Sequence, residues 1–326
     1  MDVAQRLQPS VSVLKPGMLT TIQDTGRWGL QAQGVAVAGP MDPVSHRVAN
    51  ALVGNERGAA SLEVTLLGPE LAFEDERMVA VAGAEFELTL DGCPVPMETP
   101  FTVAAGSRLR FGARRLGARA YLAVSGGIAV PPTLGSRATH VMSGLGGLDG
   151  RALLAGDRLP LGVRSRFSRF PQAGCSNSLS SRGKRENRDL TPVLRILPGP
   201  QADYFAPGAL DVLQSVPYLV GHNSDRMGFR LEGPRLTHAR GADIISDATP
   251  LGVLQVPASG LPILLMADRQ TTGGYPKIAT VIAADMAIAG QLAPADAVSF
   301  VVCTPRDALA ALIAQERALM ALEDRP

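Results

Sequence analysis

Short apolar runs separated by turn-forming residues fill the first half of the chain and limit the folds that it can adopt. The runs lie at positions 62–67, 78–82, 86–90, 101–104, 109–111 and 120–124. Regularly spaced runs of this length are typical of strands. Thirty-five glycines and 25 prolines, with an aromatic content of only 4%, indicate many turns between short elements. The pattern therefore predicts a mainly β fold, arranged as a barrel or a sandwich.

A change of composition divides the chain. Residues 164–191 are rich in serine and arginine, include the basic cluster Arg182-Gly-Lys-Arg185, and contain almost no β-periodic segment. We predict a linker or a disordered surface loop there, between an N-terminal domain at 1–163 and a C-terminal domain at 192–304. Thr304 and Pro305 then predict the start of a helix over 305–326, whose apolar stripe is typical of a core or oligomer contact.

A short helix is predicted after residue 42. Asp42 provides an N-cap oxygen and the following proline suits the first helical position. Val44, Val48 and Leu52 form one apolar face at helical spacing. His46 lies off this face, and we expect a solvated or locally bonded histidine rather than a metal ligand.

Charge and motifs argue against several classes of protein. The net charge of +1 suggests neither a nucleic-acid nor an acidic membrane partner. The N-terminus has no apolar signal region and no apolar run approaches the ~20 residues that span a bilayer, which predicts a cytoplasmic protein. No CxxC pair, HExxH motif or nucleophile elbow occurs, and no metal site is expected.

One segment, Gly144-Leu-Gly-Gly-Leu-Asp-Gly150, is rich in glycine, as phosphate-binding loops are. It lacks the Lys-Ser/Thr pair of a P-loop and does not match GxGxxG before a long helix. The segment is either a loop that shapes a cleft or a purely structural loop, and the role of His140 just before it is equally open.

The strongest candidate site follows the apolar run at 262–267. This run ends at Asp268, and a polar, glycine-rich stretch separates it from a second apolar run at 278–284. A strand, a loop and a strand would bring together the polar residues of the stretch, namely Asp268, Gln270, Thr271, Thr272, Tyr275 and Lys277. Lys277 is one of only three lysines in an arginine-rich chain. The alternative is a glycine turn with Lys277 as a solvated strand end.

Two other charged pairs are candidates. Asp24 and Arg27 lie in the loop Gln23-Asp-Thr-Gly-Arg27, where Asp24 either caps the turn and pairs with Arg27 or contributes to a site. Asp225 and Arg226 are neighbours at the entrance of a strand in which Phe229 and Leu231 alternate with a polar residue.

The stretch Gln270-Thr-Thr-Gly-Gly-Tyr-Pro-Lys-Ile-Ala-Thr-Val-Ile282 resembles the signature of the allophanate hydrolase subunit 2 family. This family includes the C subunit of 5-oxoprolinase, also called KipA, and the carboxyltransferase part of biotin-dependent urea carboxylase. Further segments match in the family's order: Gln23-Asp-Thr-Gly-Arg27, Gly39-Pro-Met-Asp42, Tyr121-Leu-Ala-Val-Ser-Gly-Gly-Ile128, Leu134-Gly-Ser-Arg137, Ser224-Asp-Arg-Met-Gly-Phe-Arg-Leu-Glu-Gly-Pro234 and Gln255-Val-Pro257. The resemblance covers about residues 11 to 304.

The resemblance implies two tandem cyclophilin-like β-barrel domains with a few short helices, and a substrate cleft between the domains that is shared with a partner subunit. It implies a subunit of an ATP-dependent 5-oxoprolinase, which opens the cyclic amide 5-oxoproline to L-glutamate. The implied partners are a subunit 1-type, KipI-like protein and a LamB-like subunit. ATP, with magnesium, would be shared with a partner subunit.

Two alternatives to this reaction remain. One is carboxyl transfer from carboxybiotin to a nitrogen acceptor, as in urea carboxylase. Because the chain has no Met-Lys-Met biotin-attachment signature, any biotin would be carried by another protein. The other alternative is a non-catalytic partner that binds and controls a KipI-like protein.

The family's site carries over to matching positions as hypotheses. Candidate catalytic residues are Lys277, Asp225 and Tyr275. Candidate substrate- or cofactor-binding residues are Arg226, Gln255, Asp268, Arg269, Gln270, Thr271, Thr272, Asp24, Arg27 and Asp42. One departure concerns Ser246-Asp-Ala248, where relatives tend to have Ser-Glu-Gly, so that Asp247 keeps a carboxylate with a shorter reach.

Overall fold

The computed structural model describes residues 9–163 and 191–324. The chain divides into two compact units, and each is described by itself. Of the described residues, the first unit comprises 9–27, 38–163 and 319–324, and the second comprises 28–37 and 191–318. The predicted linker at 164–191 lies outside the described residues except for its last position.

The first unit contains one nine-stranded sheet. Its strands are β1 (Ser10–Lys15), β2 (Leu19–Gln23), β3 (Ser61–Thr65), β4 (Glu70–Phe73), β5 (Arg77–Leu90), β6 (Cys93–Val95), β7 (Phe101–Val103), β8 (Arg108–Val124) and β9 (Arg158–Pro160). The path β2-β3-β8-β4-β1-β9 is joined by β5, which pairs with β6, β7 and β8. The long strands β5 and β8 pair antiparallel, with register shifts between residues 83 and 88.

Alternation along the strands gives this sheet two buried faces, one lined by the main apolar core and one that carries both apolar and polar side chains. On β3, Leu62 and Val64 belong to the main apolar core, while Ser61 and Glu63 alternate with them and are also buried. Because side chains alternate along a strand, the side chains of Ser61 and Glu63 point to the opposite face of the sheet. That face must therefore be covered by another element.

Helix α1 (Pro43–Leu52) makes contacts with β3, β5 and β8. Its predicted cap is confirmed, because Asp42 accepts hydrogen bonds from the backbone amides of Val44 and Ser45. The predicted apolar stripe, Val44, Val48 and Leu52, is only half-buried. The fully buried residues of the helix are instead His46, Arg47, Ala49 and Asn50.

His46 is fully buried, so of its two expected environments the solvated one is absent. The alternative of a locally bonded histidine is correct, because its Nε2 lies 3.3 Å from the main-chain oxygen of Gln23 on β2.

The second unit is built on a closed barrel of seven strands. They are β10 (Val193–Pro198), β11 (Tyr218–Val220), β12 (Gly228–Glu232), β14 (Val253–Gln255), β15 (Ile263–Leu265), β17 (Lys277–Val281) and β18 (Ala297–Val302). Their order around the barrel is β10-β17-β14-β15-β12-β11-β18. A separate two-stranded sheet pairs β13 (Asp247–Ala248) with β16 (Thr272–Gly273). Buried residues of the barrel strands include Leu194, Leu231, Leu254, Leu264 and Ile278.

The remaining helices are short except the last. They are α2 (Ala209–Ser215), α3 (Met286–Gly290) and α4 (Pro305–Glu323). Thr304 caps α4, because its hydroxyl accepts a hydrogen bond from the Asp307 amide at 3.2 Å.

The mainly β fold with a C-terminal helix is therefore confirmed. No helix in the described ranges has both the length and the apolar character needed to cross a bilayer.

Candidate functional site

The predicted strand, loop and strand are present in the second unit. β15 and β17 flank a connection from 266 to 276 that contains the short strand β16. Both strands pair with β14, which lies between them in the barrel. On β14, Gln255 is the direct partner of Lys277, next to a register shift after Leu254. Side chains of directly opposed residues lie on one face of a sheet, so Gln255 and Lys277 are neighbours.

Lys277 forms a salt bridge with Asp247. Its Nζ lies 2.7 Å from Asp247 Oδ2. The lysine side chain is 2% exposed and the aspartate side chain 53% exposed, so the ammonium is sealed while the carboxylate reaches solvent. A buried ammonium requires such a partner, because removing a charge from water costs several kcal/mol when the charge is unpaired. The alternative of a solvated strand-end lysine is therefore wrong.

Gln201 and the backbone complete the surroundings of Asp247. Gln201 Oε1 accepts a hydrogen bond from the Lys277 amide at 3.3 Å. The Ala248 amide donates to Asp247 Oδ1 at 2.8 Å. The hydrogen bond from Lys277 is the largest cause of the lowered pKa of Asp247, followed by the Ala248 amide, with a smaller contribution from the Gln201 side chain. Asp247 is therefore an ionised, positioned acceptor at the surface of the site.

Gln255 has an unfilled acceptor. The residue is 4% exposed, and its Oε1 has no hydrogen-bond partner in the part of the chain that the structure describes. A Cβ atom on Gly273 would lie 3.2 Å from this oxygen and 3.0 Å from Thr249 Cγ2. The glycine therefore allows β16 to pass close over the buried amide.

Arg226 and Asp268, both predicted as binding residues, are paired with each other. Arg226 Nε and Nη2 donate to the two carboxylate oxygens of Asp268, each at 2.9 Å. Both side chains are buried. The pair therefore fixes the backbone beside the site, and a direct binding role for either residue stays a prediction.

The connection after Asp268 is held to the segment before β14. Arg269 Nε donates to the Thr249 carbonyl oxygen at 2.7 Å, and the Thr249 hydroxyl donates to the Gln270 carbonyl oxygen. Burial lowers the pKa of Arg269 from its ordinary value. These contacts give Arg269 and Gln270 a role in shaping the loop.

The remaining predicted residues of the second unit are more accessible. Asp225 Oδ1 accepts from the amides of Met227 and Gly228, at 2.8 and 3.3 Å, and so caps the turn before β12. Thr272 and Tyr275 are exposed, and Thr271 is half-buried. The structure places all three on the same connection as Arg269, and their predicted roles, like the catalytic role of Asp225, stay predictions.

Asp24, Arg27 and Asp42 belong to the first unit, where each has a local structural partner. Asp24 Oδ1 accepts from the Gly26 amide at 2.9 Å and from the Ser136 hydroxyl at 2.6 Å. Arg27 Nη2 donates to the Ala138 carbonyl oxygen at 2.5 Å. Asp42 caps α1. Asp24 thus caps its turn, and its predicted pairing with Arg27 stays a prediction.

The glycine-rich segment at 144–150 does not fit a phosphate cradle. A Cβ atom on Gly147 would lie 2.0 Å from Thr139 Oγ1, and one on Gly150 would lie 2.0 Å from the Gly144 carbonyl oxygen. His140 and Leu145 form a backbone bridge that closes the loop. These glycines therefore serve close packing within the loop, and the purely structural interpretation is the one that the geometry favours.

Gln201 and Asp247 are the site residues that sequence reasoning missed. Gln201 follows a Gly-Pro pair in a turn, which gives no chemical signal. The sequence marks Asp247 only as a departure from the family's glutamate.

Within residues 9–163 and 191–324, no group of three or more His, Cys, Asp or Glu side chains is arranged to hold a metal ion.

Known proteins are similar to this chain over most of its length. The family model of the carboxyltransferase domain, subdomains A and B, matches residues 33–302. The chain is 39% identical to the C subunit of 5-oxoprolinase from Escherichia coli strain K12, over 94% of this chain and 96% of that protein. It is 34% identical to a putative urea carboxylase of Emericella nidulans, over 94% of this chain but 25% of that protein.

A solved structure is similar as well. The crystal structure of the K. lactis urea amidolyase superposes with a TM-score of 0.87 at 32% identity, over 98% of this chain and 20% of that chain. The described fold is therefore found within a much longer protein.

Proposed function

The chain belongs to the carboxyltransferase-domain family of subdomains A and B, and on that premise we propose that it is a subunit of a 5-oxoprolinase. The family resemblance carried by residues 270–282 is confirmed by these matches. The proposed reaction is the opening of the cyclic amide of 5-oxoproline to L-glutamate. Water adds to the lactam carbon, the carbon–nitrogen bond breaks, and the nitrogen gains the proton.

The observation that carries this proposal is the extent of the match to the E. coli protein. The alignment includes nearly all of both chains. In the Emericella protein the corresponding segment is only a quarter of the chain. Because the E. coli protein is named as one subunit of a 5-oxoprolinase, we assign the corresponding role, with separate partners, to this chain.

The proposed partners are a KipI-like protein and a LamB-like subunit, and the proposed location of the complex is the cytoplasm. ATP is the proposed co-substrate of the assembled enzyme, which hydrolyses it with a second water to ADP and phosphate as the amide opens. Because the glycine-rich loop of this chain is filled by its own backbone and side chains, we assign the phosphate contacts mainly to a partner subunit. This chain would then contribute the polar site around Lys277, Asp247 and Gln255.

The test is ATP-dependent release of glutamate from 5-oxoproline by the three co-expressed proteins. Each chain is omitted in turn as the control. Turnover that is lost without this chain supports the proposal. Turnover that persists at the full rate without it contradicts the proposal and favours a regulatory role toward the KipI-like protein.

Carboxyl transfer is the second candidate, and the structural match to the urea amidolyase favours it. The nitrogen compound that receives the carboxyl group would donate its N–H to the polar groups of the site. Biotin would be carried by another protein. The discriminating assay supplies urea and a carboxylated biotin carrier and follows loss of the carboxyl group from biotin. Transfer that depends on this chain, together with no glutamate release, would select this candidate.

A further inference from the structure

We infer that Asp247 is the residue that meets the substrate, as an acceptor for a substrate N–H, and that Lys277 positions it. The identity of the amide that carries this N–H rests on the proposed function. In the sequence-based hypothesis, by contrast, Lys277 is one of three candidate catalytic residues, with Asp225 and Tyr275.

Asp247 is more accessible than Lys277. Lys277 Nζ lies behind Asp247, because the lysine side chain is 2% exposed and the aspartate side chain that it contacts is 53% exposed. A substrate that approaches from solvent reaches the carboxylate first. An anionic substrate group would have to displace Asp247 before it could touch the ammonium.

The Asp247 carboxylate also has hydrogen-bonding capacity to spare. A carboxylate offers about four acceptor positions. The hydrogen bond from Lys277 uses Oδ2, and the hydrogen bond from the Ala248 amide uses Oδ1. The Gln201 side chain makes a smaller contribution to the lowered pKa of Asp247. The exposed side of the carboxylate therefore retains room for one more donor.

The neighbouring Gln255 also has an acceptor oxygen that is available to a ligand. Its Oε1 has no hydrogen-bond partner among the described residues, and Gln255 is the cross-strand neighbour of Lys277. Leaving a buried acceptor unpaired is unfavourable, because the oxygen has lost its water without gaining a partner. The unfilled positions at this site are thus acceptors, and a ligand that brings N–H groups complements them.

The charge of Asp247 agrees with this role. The Lys277 ammonium lowers the pKa of Asp247, so the carboxylate is ionised at neutral pH and accepts hydrogen bonds. An ionised acceptor forms a stronger hydrogen bond to N–H than a neutral one. Lys277 acts on the substrate through Asp247, as a positioning residue.

The test compares 5-oxoproline with N-methyl-5-oxoproline, which lacks the N–H. Binding of both compounds to the assembled three-protein complex is measured by calorimetry without ATP. We expect the wild-type complex to bind the parent compound at least tenfold more tightly. In Asp247→Asn, which places an NH₂ group at one of the two oxygen positions, this preference should fall to about twofold or less.

Three further variants make the result specific. Asp243→Asn, a change at another aspartate of the same segment, should keep the wild-type preference. Lys277→Met should reduce the preference, and Lys277→Arg should restore part of it. In turnover assays Asp247→Asn should raise KM more than it lowers kcat.

Equal binding of the two compounds to the wild-type complex would overturn the inference, and so would an unchanged preference in Asp247→Asn. The proposed function can fail separately. If the complex binds urea but not 5-oxoproline, and Asp247→Asn weakens urea binding, the acceptor role stands and the 5-oxoprolinase assignment falls. If neither 5-oxoproline nor urea binds, the acceptor role of Asp247 and the 5-oxoprolinase assignment are both rejected.

Discussion

Arg226 and Asp268 form a two-point salt bridge whose side chains are only 7% and 4% exposed. The same two residues also form a backbone hydrogen bond, in which the Asp268 amide donates to the Arg226 carbonyl oxygen at 2.8 Å. The pair therefore joins the turn before β12 to the end of β15, two adjacent strands of the barrel. The loop that carries the candidate site begins at this fixed point.

Breaking this pair should destabilise the protein strongly. Asp268→Asn and Arg226→Met should each lower the free energy of unfolding by about 3–5 kcal/mol, because each leaves a buried charge without its partner. Urea denaturation measures the change. The double variant Arg226→Met/Asp268→Leu should cost less than the sum of the single variants, which a double-mutant cycle quantifies. A cost below about 1 kcal/mol for both single variants would contradict the structural role.

The sequence predicts the local parts of the site but not its pairing. The apolar runs on either side of Asp268 and the polar stretch between them indicate a strand, a loop and a strand, and that arrangement is present. The partner of Lys277 is 30 residues away and the glutamine that contacts its amide is 76 residues away. The first contact depends on the pairing of β13 with β16 and the second on the pairing of β10 with β17, and short-range periodicity does not encode either pairing.

Helix α1 shows a second feature that the sequence pattern does not predict, namely which face of the helix is buried. Its apolar spacing identifies a helix correctly, and Asp42 with Pro43 identifies the start. Periodicity alone assumes that the covered surface is apolar. Here the covered sheet face carries Glu63 and Tyr121, whose hydroxyl donates to the Glu63 carboxylate at 2.6 Å. That face also carries apolar residues, among them Ala80 and Ala123, which form one cluster with Ala49 and Val53. Polar residues of the helix are therefore buried because part of the partner surface is polar.

His46 should make stability depend on pH below neutrality. The ring is fully buried, its Nε2 lies 3.3 Å from the Gln23 carbonyl oxygen, and burial lowers its pKa. Nearby Asp24 and Glu63 oppose this shift without cancelling it. As pH falls below about 6.5, the unfolded chain binds a proton that the folded chain does not, so stability falls by up to about 1.4 kcal/mol per pH unit.

His46→Gln should remove this contribution to the pH slope. Unfolding free energies from urea titrations at pH 7 and pH 5 give the slope, and His222→Gln, at an exposed histidine, is the control. Equal slopes in His46→Gln and the wild type would show that the ring does not govern acid stability.

Tyr218 should make stability depend on pH at the alkaline end. Burial raises its pKa to about 12, and its hydroxyl donates to the Pro234 carbonyl oxygen at 2.8 Å. Between pH 10 and pH 12 the unfolded chain loses the phenolic proton and the folded chain keeps it, so stability falls as pH rises. Tyr218→Phe should lose about 1 kcal/mol less than the wild type between pH 9 and pH 11. The exposed Tyr275→Phe is the control, and the same loss in all three proteins would refute the assignment.

Gly273 and Gly274 provide a matched pair for testing the loop over the site. A Cβ atom on Gly273 would lie 3.0 to 3.3 Å from Thr249 Cγ2, Gln255 Oε1 and Gln270 Nε2, whereas one on Gly274 would meet only the Ile244 carbonyl oxygen at 3.5 Å. Gly273→Ala should therefore move β16 and the buried amide by a few tenths of an ångström. Misplacement of groups at a site reduces turnover, and we expect a loss of about tenfold or more.

Gly274→Ala should stay within about twofold of the wild type in the same turnover assay. Unfolding free energies of both variants separate a local displacement from general destabilisation, and we expect Gly273→Ala to cost about 1–3 kcal/mol at most. Because the methyl group added at Gly273 would lie against Thr249, Gln255 and Gln270, a selective loss in Gly273→Ala would come from the neighbours that it displaces. Equal activity of the two variants would mean that the position of β16 over Gln255 does not matter for function.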